Sequence, residues 1–161
     1  MNQLWAPWRM PYIMSNKESQ TGCLLCNKPK QKKDKANLIL HRGKEGFVMM
    51  NLYPYNNGHL MVCPYQHTAS LSGLSQSALW GLIDLVQKSE MILQQSSKPD
   101  GINVGLNLGR AAGAGIADHL HFHLVPRWNG DTNFMTVASE VRVLPESLDA
   151  TYRRLKPFFK V

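Results

Sequence analysis

The sequence predicts an α+β domain in which helices pack on an antiparallel sheet. Three observations lead there. Three strand-like runs follow one another through short loops, which favours antiparallel pairing. One long amphipathic stretch reads as a helix, and an alternating row of histidines reads as a further strand.

The early strands are 36–41, 47–52 and 59–64, each rich in Leu, Ile, Val, Met or Phe and bounded by turn residues. Between the second and third lies Pro54-Tyr55-Asn56-Asn57-Gly58, a run of strong turn formers. Ser75 is a candidate N-cap for a helix over 75–96, where Leu79, Leu82, Ile83, Val86 and Leu93 recur at helical spacing. Ser97-Lys98-Pro99-Asp100-Gly101 ends it, and 102–108 is the fourth strand. A glycine-rich loop, 109–115, leads into the histidine row. A short strand over 137–144 and a helix from Pro145 or Ser147 to about Lys156 close the chain.

The row itself runs over 118–128. Successive side chains of a strand point to opposite faces, so His119, His121 and His123 share one face. Leu120, Phe122 and Leu124 then enter the core. A helix would scatter the imidazoles, and Pro126 would break it.

At 161 residues this is one domain, long enough for a core without staples. It divides into an aromatic N-terminal arm with a basic loop (1–35), a core (36–128) and a C-terminal segment (129–161). Apolar content of 43% and charged content of 18% are ordinary for a globular chain. No apolar run approaches the roughly 20 residues that cross a bilayer. The N-terminus lacks the apolar centre of a signal peptide, so a cytoplasmic protein without a membrane partner is expected. More than half of the +7 charge sits on Lys28, Lys30, Lys32, Lys33 and Lys35, opposed there only by Asp34. No aromatic residue interleaves them, which argues for a solvated loop and against a nucleic-acid partner.

Three cysteines in such a chain do not make a disulfide framework. Cys63 lies in an apolar run and reads as core. Cys23 and Cys26 are spaced as half of a tetrahedral zinc site, with His67 and His119 the best candidates for the other half. A redox pair and two ordinary buried thiols are the alternatives. Four protein ligands leave no open position, so such a zinc is structural. His121 and His123 are then free for chemistry, since a neutral imidazole is a good nucleophile toward phosphorus. The glycines of the preceding loop, Gly113 and Gly115 among them, would let backbone N–H groups approach phosphate oxygens, with Arg110 adding charge. Asn51 and Asn107 stand at strand ends, where each either bonds a ribose or phosphate or caps a turn. His41 and His59 read as structural or surface histidines.

His119-Leu120-His121-Phe122-His123-Leu124-Val125 resembles the signature of the histidine-triad (HIT) family. Leu4 to Arg9, the Cys23/Cys26 pair, 51–62, 119–128 and 130–135 extend the likeness toward the bacterial diadenosine-tetraphosphate phosphorylase-type branch. The resemblance implies a five-stranded antiparallel sheet, a homodimer, and nucleotidyl hydrolase or transferase chemistry on dinucleoside polyphosphates at an α-phosphate. By position, it makes His121 the nucleophile that becomes nucleotidyl-histidine. It places His123 at the phosphate and leaving group, Asn51 at the ribose, and Asn107 with its following loop at the phosphates. It also makes Cys23, Cys26, His67 and His119 the zinc ligands, and it implies no organic cofactor. Gly115 stands where many hydrolytic members carry Gln, and the loop is one residue longer, which is compatible with phosphate rather than water as acceptor.

The expectation is therefore a cytoplasmic nucleotidyl-transferring enzyme with a nucleotide as partner, phosphorolysis being favoured. A phosphoramidate or dinucleotide hydrolase of the same family is the neighbouring reading. A metal-dependent hydrolase that uses the histidine row as ligands, or a non-catalytic nucleotide-binding protein, would be of another class.

Overall fold

The computed structural model describes residues 22–131 and 144–160. Residues 1–21 of the arm and most of the predicted 137–144 strand lie outside them. Five strands are present: β1 (Ile39–Arg42), β2 (Gly46–Met50), β3 (Leu60–Pro64), β4 (Gly101–Leu106) and β5 (Phe122–Arg127). They form one antiparallel sheet in the order β1-β2-β3-β5-β4. The helices are α1 (Leu24–Lys30), α2 (Gln76–Ser97) and α3 (Leu148–Leu155).

Strict alternation gives the sheet two apolar faces. Val48, Met50, Leu60, Val62, Phe122 and Leu124 face α2 and the C-terminal segment, packing on Leu82, Ile92, Leu93, Tyr152 and Leu155. Phe47, Met49, Met61 and Cys63 face the other way, against Leu25 of α1. Both faces are covered, so β2 and β3 are buried along their whole length. Gly46 is required by the closeness of β3: a Cβ there would lie 2.4 Å from the Cys63 carbonyl oxygen.

The long helix begins as expected. Ser75 accepts a hydrogen bond from the Ala78 N–H at 3.2 Å, and Lys98 ends the helix in the left-handed region. Its buried stripe is Ala78, Leu82, Leu85, Ser89, Ile92 and Leu93, so Ile83 falls outside it, 39% exposed. The last helix likewise starts at Ser147. It is fastened to β1 by the Tyr152 hydroxyl on Ile39 O (3.1 Å) and by Lys156 on Leu40 O (2.8 Å).

Two local expectations are corrected. The chain after Cys23 is not all loop: α1 carries Cys26, Lys28 and Lys30, with Pro29 in its last turn. Leu25 and Pro29, four apart, are its buried side. Its end is held where Arg42 bonds Pro29 O (2.8 Å) while gripping the Asp34 carboxylate. The first strand starts at Ile39 rather than 36, because Leu38 adopts φ +59 and the register slips between Ile39 and His41. No helix among the described residues is long and apolar enough to cross a membrane.

Candidate active site and metal centre

The histidine row enters the sheet later than the alternation suggests. Only His123 lies within β5; His121 immediately precedes it, and His119 sits in a bend. The reason is a competing backbone bond. Leu120 N–H donates to Thr68 O at 2.7 Å, which ties this stretch to the segment beyond β3 before the ladder begins. The facing prediction nevertheless holds, with Phe122 and Leu124 in the α2-side core and Met61 paired with His123. All three imidazoles are buried, with 0, 5 and 9% exposure for His119, His121 and His123.

The protonation pattern of each ring follows from its hydrogen-bond partner. A carbonyl oxygen only accepts, so the 3.0 Å bond from His119 Nε2 to Pro64 O puts the proton on Nε2 and the lone pair on Nδ1. His121 is the reverse: Nδ1 donates to His119 O at 2.8 Å, which leaves a lone pair on Nε2. His123 Nδ1 lies 2.9 Å from His59 Nε2. His59 Nδ1 receives the Tyr55 N–H at 3.0 Å and lies 3.4 Å from Asn51 Nδ2, so its own proton resides on Nε2. That proton is donated to His123 Nδ1, and a neutral His123 then carries a donor at Nε2.

Burial keeps this pair neutral. It pushes His59 down to about 3, with His123 and His121 adding repulsion, and His123 down to about 4, with His121 adding repulsion. The rings stay in contact, with centroids 4.7 Å apart for His121 and His123 and 5.0 Å for His59 and His123.

The lone pair of His119 points into a second cluster. Cys23, Cys26, His67 and His119 offer donor atoms that all lie within 4.8 Å of one another. Cys23 Sγ is 3.2 Å and Cys26 Sγ 3.4 Å from His119 Nδ1. Cys26 Sγ is 3.5 Å from His67 Nδ1, and the two Nδ1 atoms are 3.3 Å apart. A tetrahedral zinc with bonds of about 2.0–2.1 Å to nitrogen and 2.3 Å to sulfur has N···N edges of about 3.3 Å and N···S edges of about 3.6 Å. The four residues fit that metal. Two imidazole nitrogens facing each other between thiols would otherwise leave lone pairs opposed. Cys23 is the N-cap of α1, but its side chain makes no cap bond, since it is directed to His119. Among the described residues, no other group of three or more metal-ligating side chains converges. His121 and His123 take no part, which separates this geometry from a metal site made by the row itself.

The remaining candidates are arranged around the rings. Asn51 N–H bonds His59 O at 3.0 Å, and its side chain reaches both His59 and the Tyr53 N–H (3.0 Å). Asn107 follows the Leu106–Phe122 pair by one residue, so the register sets it across from His121. Gly113, at φ +90, lies against Asn107; a Cβ there would be 3.8 Å from its Nδ2. Gly115 is exposed on the same loop. The anticipated cradle of N–H groups is narrower than the glycines suggest. The N–H groups of Ala112, Gly113 and Ala114 bond Gly109 and Arg110 carbonyls inside a 3₁₀ turn.

His59 is structural rather than a surface histidine: it is 1% exposed, and its bond to His123, which the sequence reading did not anticipate, sets it beside the row. Its signal was parity: His59 shares a face with Met61, which pairs with His123. His41 is structural, as expected, with Nδ1 donating to Phe159 O at 3.2 Å.

The chain matches the model of the HIT domain over residues 31–130. It is 40% identical to the AP-4-A phosphorylase of Mycobacterium tuberculosis, across 96% of this chain and 83% of that one. It is 29% identical to an adenosine 5'-monophosphoramidase of Schizosaccharomyces pombe, across 68% and 74%. Among solved structures, a Zn-bound histidine triad family protein of Mycobacterium smegmatis superposes with a TM-score of 0.70 at 23% identity, covering 88% of this chain and 96% of that chain. A histidine triad nucleotide-binding protein of Sulfolobus tokodaii gives 0.69 at 22%, covering 86% and 92%.

Proposed function

The chain belongs to the HIT-domain family, and from that membership we propose that it transfers a nucleotidyl group from a dinucleoside polyphosphate of the diadenosine-tetraphosphate type to inorganic phosphate. The observation that carries the reading is the bond from His121 Nδ1–H to His119 O, which leaves His121 Nε2 as a neutral nucleophile. The 40% identity to an AP-4-A phosphorylase supports the substrate class.

In the first step His121 Nε2 attacks the α-phosphorus. The bond from phosphorus to the bridging oxygen breaks, and for diadenosine tetraphosphate ATP leaves. The ring becomes cationic as the N–P bond forms, and the His119 carbonyl stabilises that charge through Nδ1–H. His123 Nε2–H donates to the phosphate or the leaving oxygen, a role supported by the His59 contact. Asn51 holds the ribose; Asn107, with Gly113 and Gly115, borders the phosphates. In the second step phosphate attacks the nucleotidyl-histidine, the P–N bond breaks, and ADP is released with His121 regenerated.

Cys23, Cys26, His67 and His119 hold zinc in this reading. With all four positions filled by protein, the metal supplies structural support and no open Lewis-acid site. The protein acts in the cytoplasm as a homodimer. The exposed edge of β4, with Asn103, Val104 and Gly105 open to solvent, supports pairing with a second copy.

The test is incubation with diadenosine tetraphosphate with and without inorganic phosphate, followed by product identification. ADP plus ATP, formed only when phosphate is present, is expected. AMP plus ATP without phosphate would make water the acceptor. Turnover of adenosine phosphoramidates alone would move the chain toward the second relative's chemistry.

A further inference from the structure

The irregular segment between β2 and β3 sets the chemistry of His123 without any residue of its tip touching the proposed reaction. Its Tyr55 N–H is the donor that fixes His59 Nδ1 as an acceptor. The Tyr55 ring lies 4.7 Å from the His59 ring and 5.7 Å from that of His123. A backbone donor keeps one tautomer only while the loop keeps its place.

Two consecutive asparagines fasten that loop to different parts of the molecule. Asn56 Nδ2 donates to Pro126 O at 3.0 Å and to Asp131 Oδ2 at 2.7 Å, at the far end of the catalytic strand. Asn57 Nδ2 donates to Glu146 Oε2 at 3.2 Å, and the Thr151 hydroxyl of α3 lies 3.3 Å from Asn57 Oδ1. Glu146 is itself gripped by Arg154 through both carboxylate oxygens, at 3.2 and 2.8 Å. Arg154 also bonds Ser97 Oγ, at the end of α2, at 2.8 Å. Those bonds, Arg154 first, hold the Glu146 carboxyl down at about 2, so it is an ionised acceptor throughout the working range.

We propose that Asn57 and Glu146 are positioning residues, clamping the 51–58 loop so that His59, and through it His123, is kept in a single tautomer. The clamp spans Asn57, Glu146, Arg154 and Ser97, and reaches the rings through the loop's own contacts, the Tyr55 N–H and ring and the Asn51 side chain. Its kinetic consequence rests on the proposed use of His123 as a donor, but its tautomeric consequence does not.

The experiment compares full-length, zinc-loaded wild type with Asn57→Asp and with the pair Asn57→Asp plus Glu146→Gln. The single change sets two carboxylates against each other. The pair restores the bond with its direction reversed, glutamine donating to aspartate. Histidine-nitrogen NMR reads the tautomers directly, and kinetics with diadenosine tetraphosphate separate kcat from KM.

Wild type is expected to show one Nε2–H tautomer at both His59 and His123. Asn57→Asp should show mixed tautomers and lose roughly 10- to 100-fold in kcat with little change in KM. The pair should recover both. Should Asn57→Asp fail to fold, Glu146→Gln alone carries the test, with a smaller tautomeric mixture expected. Folded variants with wild-type tautomers overturn the proposal and leave the clamp a purely structural one. Mixed tautomers in a protein that turns over none of these substrates would uphold the clamp and reject the proposed reaction.

Discussion

His121 and His123 stand two residues apart on one face, yet their rings present opposite functions to the site. One offers a lone pair at Nε2 because its N–H, on Nδ1, donates to a carbonyl; the other offers an N–H because a histidine donates to its other nitrogen. His121→Ala should therefore abolish turnover and the nucleotidyl-protein adduct, while the metal content stays at one per subunit, because the ring contributes nothing to the Cys23–Cys26–His67–His119 cluster. Metal analysis beside an acid-quenched labelling experiment checks both halves. Loss of metal in that variant would return the row to a ligand role. His123→Ala should lower the rate by about 10²–10⁴-fold, the usual contribution of a positioned proton donor.

At the scale of the elements, the histidine stretch is held by what flanks it. Its sheet neighbour β3 pairs with β2 along its length, and at Gly46 there is no room for a Cβ. Gly46→Ala would set a methyl against the Cys63 carbonyl and Leu82 Cδ2 (2.7 Å), and only the side chain can yield. The expected cost is about 1–3 kcal/mol, read as a lower denaturant midpoint with an unchanged slope. Strands and the long helix were legible from the chain because their signals are local. Short apolar runs bounded by turn residues marked the early strands, alternation marked the histidine row, and Ser75 before a helical stripe marked α2. The short helix α1 was hidden because seven residues with a proline and two lysines offer no periodicity to count. His59 was hidden for a different reason. Its partner is 64 residues away, and only the register of β3 on β5 brings them together. The convergence of Cys23, Cys26, His67 and His119, by contrast, was readable because Cys-x-x-Cys has few uses and those two histidines were the best candidates to face it.

For the whole molecule, buried neutral histidines make stability depend on pH. His59 and His123 are held at about 3 and about 4, while in the unfolded chain each titrates near 6.5. Below about 6.5 the unfolded chain takes up protons that the native one refuses. The contribution of these groups is thus complete above that pH and is lost progressively as pH falls toward 4. Replacing His59 with glutamine should reduce the drop in stability between pH 7 and pH 5, measured as the shift in urea midpoint at fixed zinc. Protonation of the Cys/His cluster acts on both proteins alike, so the difference reports on His59 together with the His123 ring it contacts. An identical drop in the two would show that His59 is charged already in the native state.

The four residues of the Cys/His cluster also have a meaning for the chain as a polymer. Cys23, His67 and His119 come from three distant places, with 96 residues separating the first from the last and 52 separating the two histidines. A metal joining them is a reversible cross-link, and closing a loop of about 100 residues is worth about 4–5 kcal/mol in the chain-entropy account of such links. The strand that performs the proposed chemistry would then be tied into the fold by a bond that chelators can remove and no reductant needs to break. Availability of the metal would then help to set how long the native chain persists.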